Sequence, residues 1–269
     1  MRNLLTSAEV ARIAGVGPTA VKRWADAGTL PCIRTAGGHR RFKRDDVDRF
    51  MARAAGSGAG SEWTDWIDVL LHEVDTYAVQ SLLFGDRARR GSWHGVAAAM
   101  GDLLTDIGRR WESGVLSVLD EHVASSALQR GISAVVDAMP TDPDSPRCLL
   151  ACFESDEHTL GLSLVELCLR EAGWRTEWSG ARTPAATIVD RVIRGDLAMM
   201  AVSASASMTD EVALRRFSDT VGTACQSAGV TFVLGGAGAW PDATGHGRRF
   251  RDLEVFYRFA VGERARPMR

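Results

Sequence analysis

Asp156, His158 and Gly161 stand in the pattern Asp-x-His-x-x-Gly, within Glu154-Ser155-Asp156-Glu157-His158-Thr159-Leu160-Gly161. A neutral imidazole at His158 can offer one ring nitrogen to a metal. A carboxylate two residues earlier can hold the other nitrogen, which fixes the tautomer and raises the basicity of the ligand. Gly161, without a Cβ, lets a bulky group approach the backbone. A solvated loop whose histidine binds nothing would read the same way over these residues alone. A second constellation is Trp111 followed, nine residues on, by Glu121-His122. Eleven residues are about three helical turns, so an unbroken helix would bring His122 back near the face of Trp111. Ser113-Gly114 is expected to break that helix, and a satisfied structural Glu-His pair is the plain alternative. A third is a run of cations, Arg34, His39, Arg40 and Arg41, around Gly37-Gly38, preceded by Thr19, Lys22 and Arg23. Cations at this density suit a phosphate backbone, although each alone could be a solvated surface charge.

The elements that must position these groups follow from local patterning. Cys148-Leu149-Leu150-Ala151-Cys152-Phe153 is an apolar strand that delivers the His158 loop. Helix is expected from Leu160 to Ala172, strand at Thr176-Glu177-Trp178, helix from Ala185 to Arg194, and a buried strand from Leu197 to Ser203. Helix from Asp210 to Ser227 and strand from Val230 to Leu234 complete the alternation, which ends at Gly235-Gly236. Strands alternating with helices imply a parallel α/β sheet. Ligands of such sheets sit beyond the carboxyl ends of the strands, where the His158 loop, Ser203 and Gly235-Gly236 all fall.

Upstream, Trp63, Trp66, Ile67, Leu70, Leu71, Val74 and Ala78 recur at helical spacing. So do Val96, Met100, Leu103, Leu104 and Ile107, and Leu119, Val123, Leu128, Ile132 and Val135, with breaks expected at Gly85 and Gly114. A four-helix bundle is the expected architecture, and a bare dimerisation module remains open. At the start, Ser7 to Ala14 reads as a capped helix ending near Gly15. A second helix restarts at Pro18 after a tight Val16-Gly17 turn, giving a helix-turn-helix. Ile33 to Phe42 reads as a cationic hairpin wing about Gly37-Gly38, and Asp45-Asp46 as the cap of a further helix.

The charge is uneven. Of 269 residues with a formal net charge of −2, the first 53 hold eleven Lys and Arg against five Asp and Glu, and the rest hold 21 against 29. A basic head on an acidic body is the footprint of a nucleic-acid module joined to something else. Ala54-Ala55-Gly56-Ser57-Gly58-Ala59-Gly60-Ser61 reads as a linker, and the three prolines between Pro140 and Pro146 as a second boundary. The expected domains are therefore 1–53, 62–139 and 147–269. With 45% hydrophobic residues a packed core can form. No apolar run approaches about 18 residues, so no spanning helix and no membrane partner are expected. Five scattered cysteines without CxxC pairs fit reduced thiols rather than a zinc site, and hence a cytoplasmic protein.

Three resemblances emerge from these motifs. Thr6 to Trp24, Gly37-Gly38-His39-Arg40-Arg41-Phe42 and Asp45-Asp46 resemble the MerR-type winged-helix DNA-binding domain. The resemblance implies base or nearby phosphate contacts from Thr19, Lys22 and Arg23, and wing phosphate contacts from Arg34, His39, Arg40 and Arg41. The Asp156-x-His158-x-x-Gly161 loop, Ser203 and Gly235-Gly236 resemble the flavodoxin-like (Rossmann-like) cobalamin-binding domain with its DxHxxG signature. That implies His158 as lower axial cobalt ligand with Asp156 behind it, and Glu157 and Thr159 beside it in the same loop. Ser203 and Gly235-Gly236 would line a pocket for the cofactor's displaced nucleotide tail, with Ser205 and Ser207 making it more polar than the usual S-x-L pattern. The order of the three parts, with Trp111 and Glu121-His122 meeting the W-x9-EH signature, resembles the CarH/LitR class of MerR-family, cobalamin-dependent, light-responsive transcriptional regulators.

This last resemblance implies a non-enzymatic repressor that binds operator DNA in the dark as an oligomer, a dimer or tetramer according to state. Visible light would break the cobalt–carbon bond of adenosylcobalamin and release the operator. Trp111, Glu112, Glu121 and His122 would lie on the upper cofactor face. Glu112 is a departure, because members that form a bis-histidine adduct carry histidine there, and a carboxylate is a poor substitute on Co(III). His122, water or a different upper chemistry then remain. A second chromophore near His94, a light-independent corrinoid sensor, and a corrinoid methyltransferase or mutase subunit are the alternatives.

Overall fold

The computed structural model describes residues 4–14, 18–26, 28, 30–35, 37–53, 66–67, 69–73, 76–241 and 245–265. The expected Val16-Gly17 turn and the 54–61 linker lie outside these residues. The chain separates into two compact units, residues 1–140 and 141–269.

The first unit opens with strand β1 (Leu4–Thr6), helix α1 (Ser7–Ala14) and helix α2 (Pro18–Asp26). Thr6, rather than Ser7, starts α1: its Oγ1 accepts from the Glu9 N–H at 3.2 Å, and Glu9 Oε2 accepts from the Thr6 N–H at 2.7 Å. This reciprocal arrangement satisfies two donors that a helix start otherwise leaves bare. Strands β2 (Ile33–Arg34) and β3 (Arg40–Lys43) pair antiparallel, and β1 adds to the other side of β3. Helix α3 (Arg44–Arg53) begins one residue before Asp45, so Asp45-Asp46 occupy its first turn instead of capping it. There they favour the positive helix end.

A π-helical turn (Val69–Glu73) and three long helices follow: α4 (Thr76–Arg90), α5 (Trp93–Glu112) and α6 (Val118–Ala138). A fourth long helix is not among the described residues. The break expected at Gly85 falls instead at Gly91, whose φ of +76° suits glycine, while Gly85 is buried inside α4. Gly131 of α6 meets α4 closely; a Cβ there would lie 2.4 Å from Val79 Cγ1. The helix-turn-helix packs on the long helices through aromatic edges. Trp24 of α2 sits 4.7 Å from Phe84 of α4, and Phe84 sits 5.5 Å from Trp93 at the start of α5 (ring centroids). All three rings are buried.

The second unit is a five-stranded parallel sheet: β4 (Arg147–Cys152), β5 (Arg175–Gly180), β6 (Met199–Ser203), β7 (Thr231–Gly235) and β8 (Arg248–Arg249). Helices α7 (Leu160–Glu171), α8 (Ala185–Ile193), α9 (Glu211–Ala228) and α10 (Leu253–Arg264) accompany it. β4 and β6 are buried on both faces, which accounts for their continuous apolar runs. The spatial order is β5-β4-β6-β7-β8. Numbered within the sheet this is 2-1-3-4-5, the flavodoxin-like order, whose direction of winding reverses between its first and third strands. Those strands are β4 and β6, with Cys152 in register with Ser203 at their carboxyl ends. Among the described residues no helix is long and apolar enough to cross a membrane.

Candidate functional site

The loop after β4 carries the proposed ligand group to the reversal point. Asp156 is fully buried, and its backbone N–H donates to the Phe153 carbonyl at 2.8 Å. Its carboxylate accepts four hydrogen bonds. Oδ1 takes the His158 backbone N–H at 3.0 Å, His158 Nδ1 at 2.8 Å and Ser205 Oγ at 3.0 Å; Oδ2 takes the Ser205 backbone N–H at 2.6 Å. Burial pushes this carboxyl up, but the bonds from His158 and Ser205 outweigh it and hold it below the usual carboxylate value. An ionised Asp156 makes Nδ1 the protonated ring nitrogen, which leaves the lone pair on Nε2. The imidazole is 65% exposed, so it is held at its root and open at its tip. That is the arrangement a metal-ligating histidine needs.

Ser205 was expected in a tail pocket. The structure places it on Asp156 and 3.2 Å from His158 Nδ1, joining the loops after β4 and β6 across the reversal point. Ser207 is exposed and does not line the cleft described next. Glu157 is exposed and pairs with Arg182 at 2.9 Å. Thr159 lies half-buried where α7 begins.

Beside this loop a cleft of about 790 Å³ runs between the first turns of α7, the ends of β6 and β7, and the segment before α10. Gly161, Ser203, Gly235 and Gly236 line it, together with Trp240 and Phe250. Gly161 has only Ser203 Oγ, at 3.7 Å, near the place of a Cβ. Gly236 has φ +83°, and a Cβ there would fall 2.2 Å from the Ala204 carbonyl oxygen. Arg249, also in the lining, donates to the carbonyls of Trp240 at 2.9 Å and Gly238 at 3.1 Å. An apolar cleft with a glycine and serine mouth beside an exposed, pre-oriented imidazole fits a corrinoid with an extended tail.

The other expected residues lie in the first unit. Trp111 is 45% exposed near the end of α5. Glu112 is the last residue of that helix and is exposed. Ser113 and Gly114 (φ +75°) terminate it, and Ser117 with Asp120 forms a capping box that starts α6. The helix is therefore broken, as Ser113-Gly114 suggested. Glu121 accepts from Ser125 Oγ at 2.7 Å and lies 2.5 Å from His122 Nδ1, so the pair is satisfied locally while the His122 ring stays exposed. His94 is in the first turn of α5.

On α2, Thr19 and Lys22 are exposed; the Arg23 side chain lies outside the described residues. His39 is exposed at the hairpin tip, and Arg41 is half-buried with Nη1 donating to the Arg40 carbonyl. Arg40 differs from expectation. Its side chain is only 18% exposed, and its Nη2 donates to both carboxylate oxygens of Asp26, at 2.5 and 2.7 Å. Arg34 donates to the same carboxylate at 3.2 Å. The hydrogen bond from Arg40 holds the Asp26 carboxyl below its usual value. Sequence reasoning missed Asp26; an acid ending a helix just before two cationic strands was the available signal.

Sequence comparison matches residues 4–55 to a helix-turn-helix domain family, 146–252 to a B12 binding domain, and 96–135 to a second B12 binding domain family. The chain is 27% identical over 268 residues to the HTH-type transcriptional repressor CarH of Myxococcus xanthus, covering 85% of this chain and 87% of that one. These matches are consistent with a CarH-type regulator. The chain is also 28% identical over 203 residues to the HTH-type transcriptional repressor CarA of the same organism, covering 66% and 69%. In structure it is similar to the Methanosarcina barkeri monomethylamine corrinoid protein, with a TM-score of 0.58 and 14% identity over 73% of this chain and 95% of the other. That likeness bears on fold alone.

Proposed function

We propose that this chain is a cobalamin-binding transcriptional repressor that holds operator DNA in the dark and lets it go when light destroys adenosylcobalamin. The observation that carries the reading is the His158 imidazole, held through Nδ1 by the buried Asp156 and open at Nε2, in a chain that begins with a helix-turn-helix. When bound, adenosylcobalamin supplies a cobalt–carbon bond that visible light cleaves.

The chain's own residues do the rest. His158 would hold the cobalt through its open Nε2, and Asp156 with Ser205 orients the ring and keeps it in the right tautomer. Gly161, Ser203, Gly235 and Gly236 leave room for the nucleotide tail. Trp111, Glu121 and His122, with Glu112 beside them, would contact the cofactor's adenosyl group. The basic head, a winged helix-turn-helix in this reading, supplies phosphate and base contacts to the duplex. The protein works as a homo-oligomer whose size depends on the cofactor. Differential affinity of the cofactor for two arrangements of the chain is what couples light to DNA.

Retardation of a duplex, run dark and after green light, with and without adenosylcobalamin, tests this. Retardation is expected only in the dark with cofactor; identical retardation in all four conditions removes the light switch. Glu112, where a histidine would favour a bis-histidine product, supports a second reading: light-independent corrinoid sensing. It is favoured if hydroxocobalamin and methylcobalamin change DNA binding equally in light and dark. The names of the two Myxococcus relatives support repression over a corrinoid enzyme subunit.

A further inference from the structure

Arg34 and Arg40 are direct cross-strand partners in the β2–β3 hairpin. Two like charges facing each other across a pair of strands repel and weaken the pairing. Here a third group intervenes. Asp26, the last residue of α2, receives both guanidinium groups, two bonds from Arg40 and one from Arg34. Arg40 is spent on this contact, since little of it reaches solvent, whereas Arg34 remains 61% exposed. The helix that offers Thr19 and Lys22 and the hairpin that offers Arg34, His39 and Arg41 are thus tied together at one carboxylate.

We propose that Asp26 is a positioning residue for DNA binding: by bridging Arg34 and Arg40 it fixes the angle between the second helix and the hairpin, and Arg40 serves that bridge instead of touching phosphate. The inference rests on the reading of the head as a duplex-binding module. It makes a sign-reversed expectation. A carboxylate near DNA with no other role repels phosphate, so its neutralisation strengthens binding. A positioning carboxylate does the opposite.

The test uses the full chain with adenosylcobalamin in the dark, and a duplex that the wild-type chain selects from a randomised library. Asp26→Asn is expected to weaken binding about tenfold despite removing a negative charge. Asp26→Glu is expected to recover most of the loss. Arg40→Gln breaks the same bridge from the other side, so it is expected to match Asp26→Asn in affinity. Its salt dependence should equal that of wild type, and the double variant should bind no worse than either single one. Thermal melting of each variant confirms that the head is folded at the assay temperature. Binding by Asp26→Asn as tight as wild type or tighter overturns the proposal. So does a salt slope for Arg40→Gln that falls by about one, the mark of a lost phosphate contact. If the wild-type chain selects no duplex at all, it is the DNA-binding reading that fails.

Discussion

His158 Nδ1 lies 2.8 Å from Asp156 Oδ1, and that carboxylate is itself closed in by the backbone N–H and hydroxyl of Ser205. The imidazole is therefore aimed from beneath by a group that solvent does not reach. Removing the ring and removing its support should have different effects. His158→Ala is expected to abolish the histidine-ligated cobalamin spectrum. Asp156→Asn is expected to keep a ligated species but weaken cofactor affinity about 10–100-fold, as losing the partner of a ligating histidine does. Spectral titration with adenosylcobalamin in the dark reads both. A histidine-ligated spectrum retained in His158→Ala would refute the ligand assignment.

The same carboxylate sets an acid limit. Its folded-state value lies below that of an unfolded aspartate, so the stability it contributes is present above the ordinary carboxylate range and drains away as pH falls through the folded value. The melting temperature of the wild-type chain should drop across that acid range more steeply than that of Asp156→Asn. Parallel pH profiles for the two would contradict the assignment.

Gly236 and Gly161 should separate folding from binding. Gly236→Ala places a Cβ against the Ala204 carbonyl oxygen from a left-handed backbone. The backbone alone is expected to cost roughly 1–3 kcal/mol, and the clash adds to it. Gly161→Ala meets only ordinary contact with Ser203 Oγ, so its melting temperature should stay near wild type while cofactor affinity falls because the cleft mouth is narrower. Denaturant unfolding and spectral titration of the two variants check this. Equal stability losses would argue against it.

Four of the five thiols should be silent. Cys148, Cys152, Cys168 and Cys225 are buried and free, and burial pushes all four up, Cys152 and Cys225 to about 12. Only thiolate reacts readily. One equivalent of thiol reagent, at Cys32, is expected to react with the native chain and the remainder only on unfolding.

Phe84→Ala is expected to destabilise the first unit by about 3–5 kcal/mol, since a buried aromatic ring is lost from between Trp24 and Trp93. Urea unfolding followed by tryptophan fluorescence measures it. A loss below about 1 kcal/mol, the scale of surface changes, would mean that the rings do not carry load.

The sequence made the His158 loop legible because its chemistry is local: three residue types at fixed spacing behind an apolar strand. The parallel sheet was legible for a related reason, since β4, β6 and β7 are buried on both faces and read as unbroken apolar runs. The pieces that escaped depend on distant partners. β1 has three residues, too few to show alternation, and exists because Leu5 pairs with Phe42. β8 has two, and its pairing with β7 is what brings Arg249 to the cleft wall. Helix α10 follows a run of charges that disguises its start, although Asp252 caps it through the Val255 N–H. Asp86 stands among charged residues in the sequence yet is fully buried beside Arg89 and Arg90. Ser205 and Asp26 each serve a group far along the chain, which spacing cannot reveal.

One unbroken helix, α5, has Trp93 at its start and Trp111 near its end, 20 residues or about 30 Å in all. Its first ring is wedged against Phe84, which in turn leans on Trp24 of α2. One continuous helix and one stack of rings thus join Trp111 to the helix-turn-helix. Whittling down a ring in that stack should therefore loosen the helix-turn-helix from the long helices, a change felt well away from the substituted side chain.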